Sequence, residues 1–377
     1  MDFSLTELQE MLRTSARDFL KTNCPKSLVR AMAKDDKGYT DELWRQMGEM
    51  GWMGLIVPEK FGGAGGSFLD LTVLLEEMGR ACLPGPFFST VLLGELSIIE
   101  AGSEEQKQAL LPKLADGKLF LTLALTEPNA RYSADGIQMK ATEKGNDFIL
   151  QGTKLFVPDA HISNYLVCAV RTKDSGTPED GITLFLIDAK SRGISYNLLQ
   201  TIAGDKQCEV FFDNVKVPAG NILGILNEGW PVLERILEKA TIARCAEMIG
   251  GSKQLLDITL DYAKQRKAFG HPIGSFQVIQ HYFVNMLVEI EGSALVTNNA
   301  AWLLSEGLPA TRQVSVAKAL INEGIRHTAA LCMQINGAIG FTEDHDVSLY
   351  YKRAKGWEID LGNTHFHLDK LARTAQF

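Results

Sequence analysis

DYAKQRKAFGHPIGSFQVIQH, residues 261–281, is the stretch on which the reading of this chain turns. Arg266, Lys267 and Phe269 precede a break at Gly270 and Pro272, and a new helix is expected near Ser275 with Gln277 in its first turn. Such a corner offers a guanidinium for a phosphate, an aromatic face for a ring and a helix start with free N–H groups. The plainer alternative is a helix–loop–helix corner with no ligand.

Outward from this corner the period is helical on both sides. The runs WPVLERILEKATIARCAEMIGGSKQLLDITLDYAKQR, VIQHYFVNMLVEIEGSALVTNNAAWLLSEG, ATRQVSVAKALINEGIRHTAALCMQIN and DVSLYYKRAKGWEIDLGNTHFHLDKLA predict four long amphipathic helices, a bundle over 227–377. Upstream, LFLTLALTE, FILQGTKLFV, NYLVCAVRT, GITLFLIDA, ISYNLLQT and EVFFDNVKV predict short strands separated by turns. They mark a barrel-like or sandwich β domain over 118–226. The first 117 residues read as helical again, opened by a capping box at Ser4 and Glu7. The glycine stretch GGAGG at 62–66 lacks the spacing of a phosphate loop and reads as a flexible turn. The fold class is therefore α+β, three domains in series.

Composition narrows the function. The 377 residues are 45% hydrophobic and 22% charged, with no apolar run of the ~20 residues that a bilayer span needs. A net charge of −8 argues against nucleic acid, whose phosphates call for a concentrated basic face. The start, MDFSLTELQEML, does not read as a signal peptide, so a cytoplasmic protein is expected. Six scattered cysteines without a CxxC pair fit reduced core thiols. His365 and His367 with Asp369 could suggest a metal, but two residues apart on a helix they diverge by about 200°.

Several separate motifs, in order, carry a resemblance to the acyl-CoA dehydrogenase family. Tyr262, Ala263, Arg266, Phe269, Gly270 and Ile273 match its Tyr-Ala-x-x-Arg-x-x-Phe-Gly-x-x-Ile/Leu corner. LALTEP (123–128), VFFDNVKVP (210–218) and QINGAIGFTEDHDVSLYYKRAK (334–355) match further segments, so essentially the whole chain is covered. The resemblance implies the family's helical, β, four-helix-bundle fold and an FAD held between the β domain and the bundle. It also implies a homotetramer or heterotetramer in which a neighbouring subunit completes the site. By the same resemblance, Thr126 contacts the flavin ring and Phe156 stands where the family usually has a tryptophan. Arg266, Phe269 and Gln277 hold the pyrophosphate and adenosine of FAD from the adjacent subunit, with Gln334 as a further contact. The implied reaction removes a proton α to an acyl-CoA thioester while a hydride leaves the β carbon for flavin N5. Electrons then pass to an electron-transfer flavoprotein.

The departures are as informative. The family's usual base is a glutamate just before a glycine, and in RAKGWEIDLGN (353–363) that position is Leu361. The second position used in the family, on the first bundle helix, falls on Ala240. Glu247, seven residues further on and on nearly the same face, is the candidate base. An ion pair with Arg244 is the competing reading, and Arg244 is itself a candidate substrate-binding residue. Asp360 adjoins the vacated position, but neighbouring helical residues point about 100° apart, so Glu358 and Asp360 are expected on the helix surface or at an interface. Glu95 is expected at the far end of the acyl pocket. NARYSAD (129–135) puts Arg131 and Tyr132 where the family has glycine and serine, and Pro158 replaces a hydroxyl residue. Three readings follow: a dehydrogenase of branched, cyclic or otherwise unusual acyl-CoA esters with a relocated base; a base-lacking partner subunit; or a flavoenzyme performing a non-standard elimination on an enoyl or cyclic CoA ester.

Overall fold

A computed structural model describes residues 4–174 and 176–374. The chain enters α1 (Glu7–Asn23) through a reciprocal cap: the Thr6 hydroxyl accepts from the Gln9 N–H while the Gln9 side chain accepts from the Thr6 N–H. This replaces the expected Ser4/Glu7 box. Thr6 has the extended backbone that a cap position requires, and Glu7 is already helical. After α2 (Lys26–Lys34) and α3 (Asp41–Glu49) comes the glycine stretch, and it is not the flexible turn expected. Ala64, Gly65 and Gly66 donate to the carbonyls of Gly54, Val57 and Leu55 at 2.8–2.9 Å. A Cβ on Gly63 would lie 2.1 Å from the Val57 oxygen, so the glycines serve close backbone approach. Then come α4 (Phe68–Ala81), a π-helical segment Phe88–Glu95 that runs into α5 (Leu96–Ala101), and α6 (Glu104–Ala115).

The strands are β1 (Leu121–Ala124), β2 (Lys140–Lys144), β3 (Asp147–Pro158), β4 (Tyr165–Arg171), β5 (Ile182–Asp188), β6 (Ile194–Leu199), β7 (Gln207–Pro218) and β8 (Ile222–Leu223). They form one sheet in the order β6-β7-β3-β2-β4-β5-β8, with β1 parallel to β4. β2 was not among the expected strands because its sequence, KATEK, buries only Ala141 and shows no apolar alternation. β4 and β5 are apolar on both faces for a reason. Val167, Ala169, Leu184 and Leu186 pack toward the helical domains, while Leu166, Cys168, Val170 and Phe185 pack into a second core with Phe148 and Val210.

The bundle begins with α7 (Gly229–Gln265), followed by the two-residue strands β9 (Lys267–Ala268) and β10 (His271–Pro272) around the Phe269-Gly270 tip. α8 (Gln277–Ser305) and α9 (Thr311–Asn336) follow. The fourth predicted helix is two: α10 (Asp346–Ile359) and α11 (Thr364–Thr374). Leu361 and Gly362 have φ of +58° and +107°, and the Asn363 side chain accepts from the Phe366 N–H at 2.9 Å to cap α11. A side chain at 362 would meet the Phe366 ring at 2.5 Å, so only glycine fits this reversal.

α4 and α7 touch backbone to backbone. A Cβ on Gly79 would lie 2.0 Å from the Glu247 carbonyl oxygen, and one on Gly250 only 1.8 Å from that of Glu76. No helix among the described residues is long and apolar enough to cross a membrane.

Candidate active site

A cleft opens where the three parts meet. The N-terminal domain contributes the segment around Phe87–Ser89, the β domain Pro158, Asp159 and residues 203–207, α7 contributes Arg244 and Glu247, and α10 contributes Arg353, Gly356 and Trp357, with Asp360 just past its end. The α4–α7 crossing accounts for Gly250, while Gly251 makes room for the Trp357 ring of α10, which a Cβ there would meet at 2.6 Å.

Arg244 organises the carboxylates. Its Nη1 donates to Glu247 one turn away, its Nε donates to Asp360 Oδ2 at 2.9 Å, and its guanidinium lies 3.5 Å from the centre of the Phe88 ring. The expected alternative for Glu247, an ion pair with Arg244, is thus present, and the same arginine brings in a second acid. Burial raises the Glu247 carboxyl above its usual range, with the positive charges of Arg244 and Arg353 opposing. Asp360, expected at a helix surface or interface, lines the cleft. The angular argument fails there because α10 ends at Ile359 and Asp360 is already extended, with ψ of 137°.

The turn that carries Asp360 is braced from below. Lys318, fully buried on α9, donates to Asn322 Oδ1 at 2.7 Å and to the Trp357 carbonyl at 2.8 Å, and burial brings it down to about 8. His367 Nε2 lies 3.0 Å from the Leu361 carbonyl, and burial holds that imidazole down to about 4, so it is neutral and donates. Leu361 itself packs against the helical core.

Asp159 is a third acid in the cleft, with φ of +52°. Its N–H donates to the Lys206 carbonyl at 2.9 Å and its Oδ2 accepts from the Ser89 hydroxyl at 2.6 Å. Burial pushes it up to about 7, against the lowering effect of the Ser89 bond. Sequence reading missed Asp159, because an acid after a strand-ending proline looks like an ordinary turn residue. Lys318 could have been found, being a lysine on the apolar face shared by Val314, Ala317 and Ile321.

The other expected site residues fall into two places. Thr126 and Phe156 lie together on the β domain, where the Thr126 carbonyl accepts from Leu155 at 2.8 Å. Phe156 has φ of +52° at a register shift between β3 and β7 and is 52% exposed. A half-open aromatic ring on left-handed backbone, beside Thr126 and two residues before the cleft residue Pro158, fits the support of a flat ring system. Beneath it Lys154 is fully buried, donating to Glu127 Oε1 at 2.7 Å and to the carbonyls of Ala169 and Leu125 at 2.7 and 3.1 Å. Glu127 also accepts from the N–H groups of Gln138 and Met139 at 3.0 Å. Arg266, Phe269, Gln277 and Gln334 are all exposed, Phe269 at 94% with φ of +51°. Arg266 is nineteen residues along α7 from Glu247, about 28 Å at 1.5 Å per residue, so the corner does not reach its own chain's cleft.

Glu95 is fully buried in the π-helical segment with both oxygens unbonded, and burial raises it well above the usual carboxylate range; it does not line the cleft. Ala240 is buried. The Tyr132 hydroxyl donates to the Ile359 carbonyl at 2.8 Å, and its ring packs 5.3 Å from that of Phe366, so the NARYSAD loop is tied to the bundle. Among the described residues no cluster suited to a metal ion is present.

A helical–β–helical chain with an acid-lined cleft at its junction has the architecture of an oxidoreductase acting on acyl-CoA thioesters. The N-terminal, middle and C-terminal domain families of acyl-CoA dehydrogenase match residues 6–118, 122–215 and 227–376. The chain belongs to the acyl-CoA dehydrogenase family. A probable acyl-CoA dehydrogenase of Bacillus subtilis, YngJ, is 32% identical over 383 residues, covering 99% of each chain. The butyryl-CoA dehydrogenase structure of Megasphaera elsdenii is 28% identical over 99% of each chain, with a TM-score of 0.91. The ChsE4–ChsE5 complex of Mycobacterium tuberculosis contains a chain 25% identical over the full length of both, with a TM-score of 0.92.

Proposed function

We propose that this protein is an FAD-dependent acyl-CoA dehydrogenase whose base is Glu247, relocated from Leu361 and Ala240. The observation that carries the reading is the Glu247–Arg244–Asp360 cluster in the cleft between the β domain and the helices. A base for the proton α to a thioester needs a carboxylate whose proton affinity is raised toward neutrality, and burial raises Glu247 in that direction. Arg244 orients it and keeps it ionised enough to accept a proton; Asp360 shares that arginine and is the second choice for the base. Bound FAD supplies the hydride acceptor. Thr126 and Phe156 of one chain support its ring, and the exposed Arg266, Phe269 and Gln277 with Gln334 hold its phosphates and adenosine from a neighbouring copy. The exposed apolar residues Val284, Leu287, Val288 and Leu295 on α8 support such an assembly, and an electron-transfer flavoprotein is the proposed acceptor.

The test is anaerobic mixing of the FAD-loaded protein with straight, branched and cyclic acyl-CoA esters while flavin absorbance is followed. Substrate should bleach the flavin, and Glu247→Gln should slow bleaching by about 10²–10⁴-fold with FAD still bound. Undiminished bleaching in that variant removes Glu247 from the role.

A second reading, a subunit that works beside a base-bearing partner chain, is favoured by the Tyr132–Ile359 tie across the flavin side of the cleft. It predicts a colourless protein when purified alone that turns yellow on co-expression with a second dehydrogenase chain.

A further inference from the structure

The end of α10 is held largely by side chains from outside the helix. An α-helix leaves its last carbonyls without partners of its own, and α10 stops at Ile359. The Gly356 carbonyl accepts from the Asp360 N–H at 3.1 Å, that of Trp357 from Lys318 Nζ at 2.8 Å, and that of Ile359 from the Tyr132 hydroxyl at 2.8 Å. Beyond the helix, the Leu361 carbonyl takes His367 Nε2 at 3.0 Å and the Gly362 carbonyl takes Asn322 Nδ2 at 3.4 Å. Side chains from α9, α11 and the β-domain loop thus converge on the reversal from Trp357 to Gly362.

Lys318 stands apart among these donors. It is fully buried, and its two acceptors, the Trp357 carbonyl and Asn322 Oδ1 at 2.7 Å, are both neutral. A cation desolvated without a carboxylate against it is costly, and an apolar side chain of similar length would be the cheaper filling. What the charge adds is direction: it lies at the negative end of the α10 dipole and attracts Asp360 and Glu358 through space. Asn322 extends the hold, because it accepts from Lys318 and donates to the Gly362 carbonyl on the far side of the reversal.

We propose, building on the dehydrogenase reading above, that Lys318 is a positioning residue for the reaction: with Asn322 it sets the end of α10 so that Asp360 leaves the helix toward Arg244, and Arg244 in turn presents Glu247. The chain of contacts is continuous. Lys318 holds the Trp357 carbonyl, Asp360 Oδ2 just beyond the helix accepts from Arg244 Nε at 2.9 Å, and Arg244 Nη1 donates to Glu247. Lys318 does not itself line the cleft, so it acts through these groups and not on a substrate.

The experiment is a double-variant cycle on the FAD-loaded protein, with anaerobic flavin bleaching followed against acyl-CoA concentration. Lys318→Met should slow bleaching at saturating ester by about tenfold or more, with the half-saturating concentration and the bound FAD unchanged. In an Asp360→Ala background the same substitution should add less than about twofold, because the link it works through is gone. Equal slowing in both backgrounds, or undiminished bleaching in Lys318→Met, overturns the proposal and leaves the dehydrogenase reading standing. Adding Asn322→Leu to Lys318→Met gives the methionine an apolar neighbour and should recover melting temperature without recovering rate; recovery of both overturns the proposal. Should Lys318→Met fail to fold, Asn322→Leu takes its place in the cycle under the same criteria. If no ester bleaches the natural protein's flavin, the oxidation reading fails and the placement of Asp360 is read from amide hydrogen exchange. Faster exchange in Lys318→Met confined to residues 357–364 then supports the role of Lys318, and unchanged or uniformly faster exchange overturns it.

Discussion

Two clusters of charge in this molecule, one inside the β domain and one in the cleft, are built differently. Inside the β domain, Lys154 and Glu127 form an ion pair in which every lysine proton has an acceptor and the carboxylate takes two backbone N–H groups besides. In the cleft, one arginine is divided between Glu247 and Asp360, the buried Nε of a second, Arg353, has no acceptor among the described residues, and the Asp159 side chain rests on a single serine hydroxyl. The first is closed and holds the Thr126 loop in shape. The second has capacity left over, which is what a site that must accept a ligand requires.

The contrast can be broken most forcefully at Lys154. Lys154→Met leaves Glu127 buried and uncompensated, and should destabilise the protein by about 3–5 kcal/mol in thermal or denaturant unfolding. Adding Glu127→Leu should recover part of that loss. If Lys154→Met is as stable as the natural protein, the cluster is not the closed support described.

Arg244→Met should cost less, about 1–3 kcal/mol, because the Asp360 side chain keeps 36% exposure and can turn to water. Its clearer signature is kinetic. Arg244 lowers the Glu247 proton affinity, so its removal should move the acid limb of the pH–rate profile to higher pH. An unmoved limb would mean that Glu247 does not set it.

The smallest effect sharpens the role of Asp159. Burial raises it to about 7 from 3.8, so the folded protein keeps a proton that the unfolded chain releases. Stability from this group is complete below about pH 4 and falls as pH rises to about 7. Melting temperature measured across that range should decline less steeply in Asp159→Asn. Identical slopes would mean that the carboxyl ionises normally in the fold.

Much of this was legible in the sequence. The corner at 261–281 and the alternation of helical and strand periods lead to the family fold, because those signals come from strong local periodicity and from turn residues with restricted backbones. Asp360 was misplaced because its direction depends on where α10 stops, and that is decided by the Leu361–Asn363 reversal rather than by periodicity. Asp159 and Arg353 were not singled out because their neighbours in the cleft come from segments far apart in the chain, a relation no local pattern carries. The capping box slipped from Ser4 to Thr6 because two cap-competent residues stand two positions apart.

The close approach of α4 and α7 at Gly79 and Gly250 has a mechanical side. With no side chain between them, α4 and α7 are keyed together like two notched beams, and Glu247 is seated in the notch. The backbone at the candidate base is thus set by the N-terminal domain as well as by its own helix, so a side chain introduced at Gly79 or Gly250 would shift Glu247 without entering the cleft.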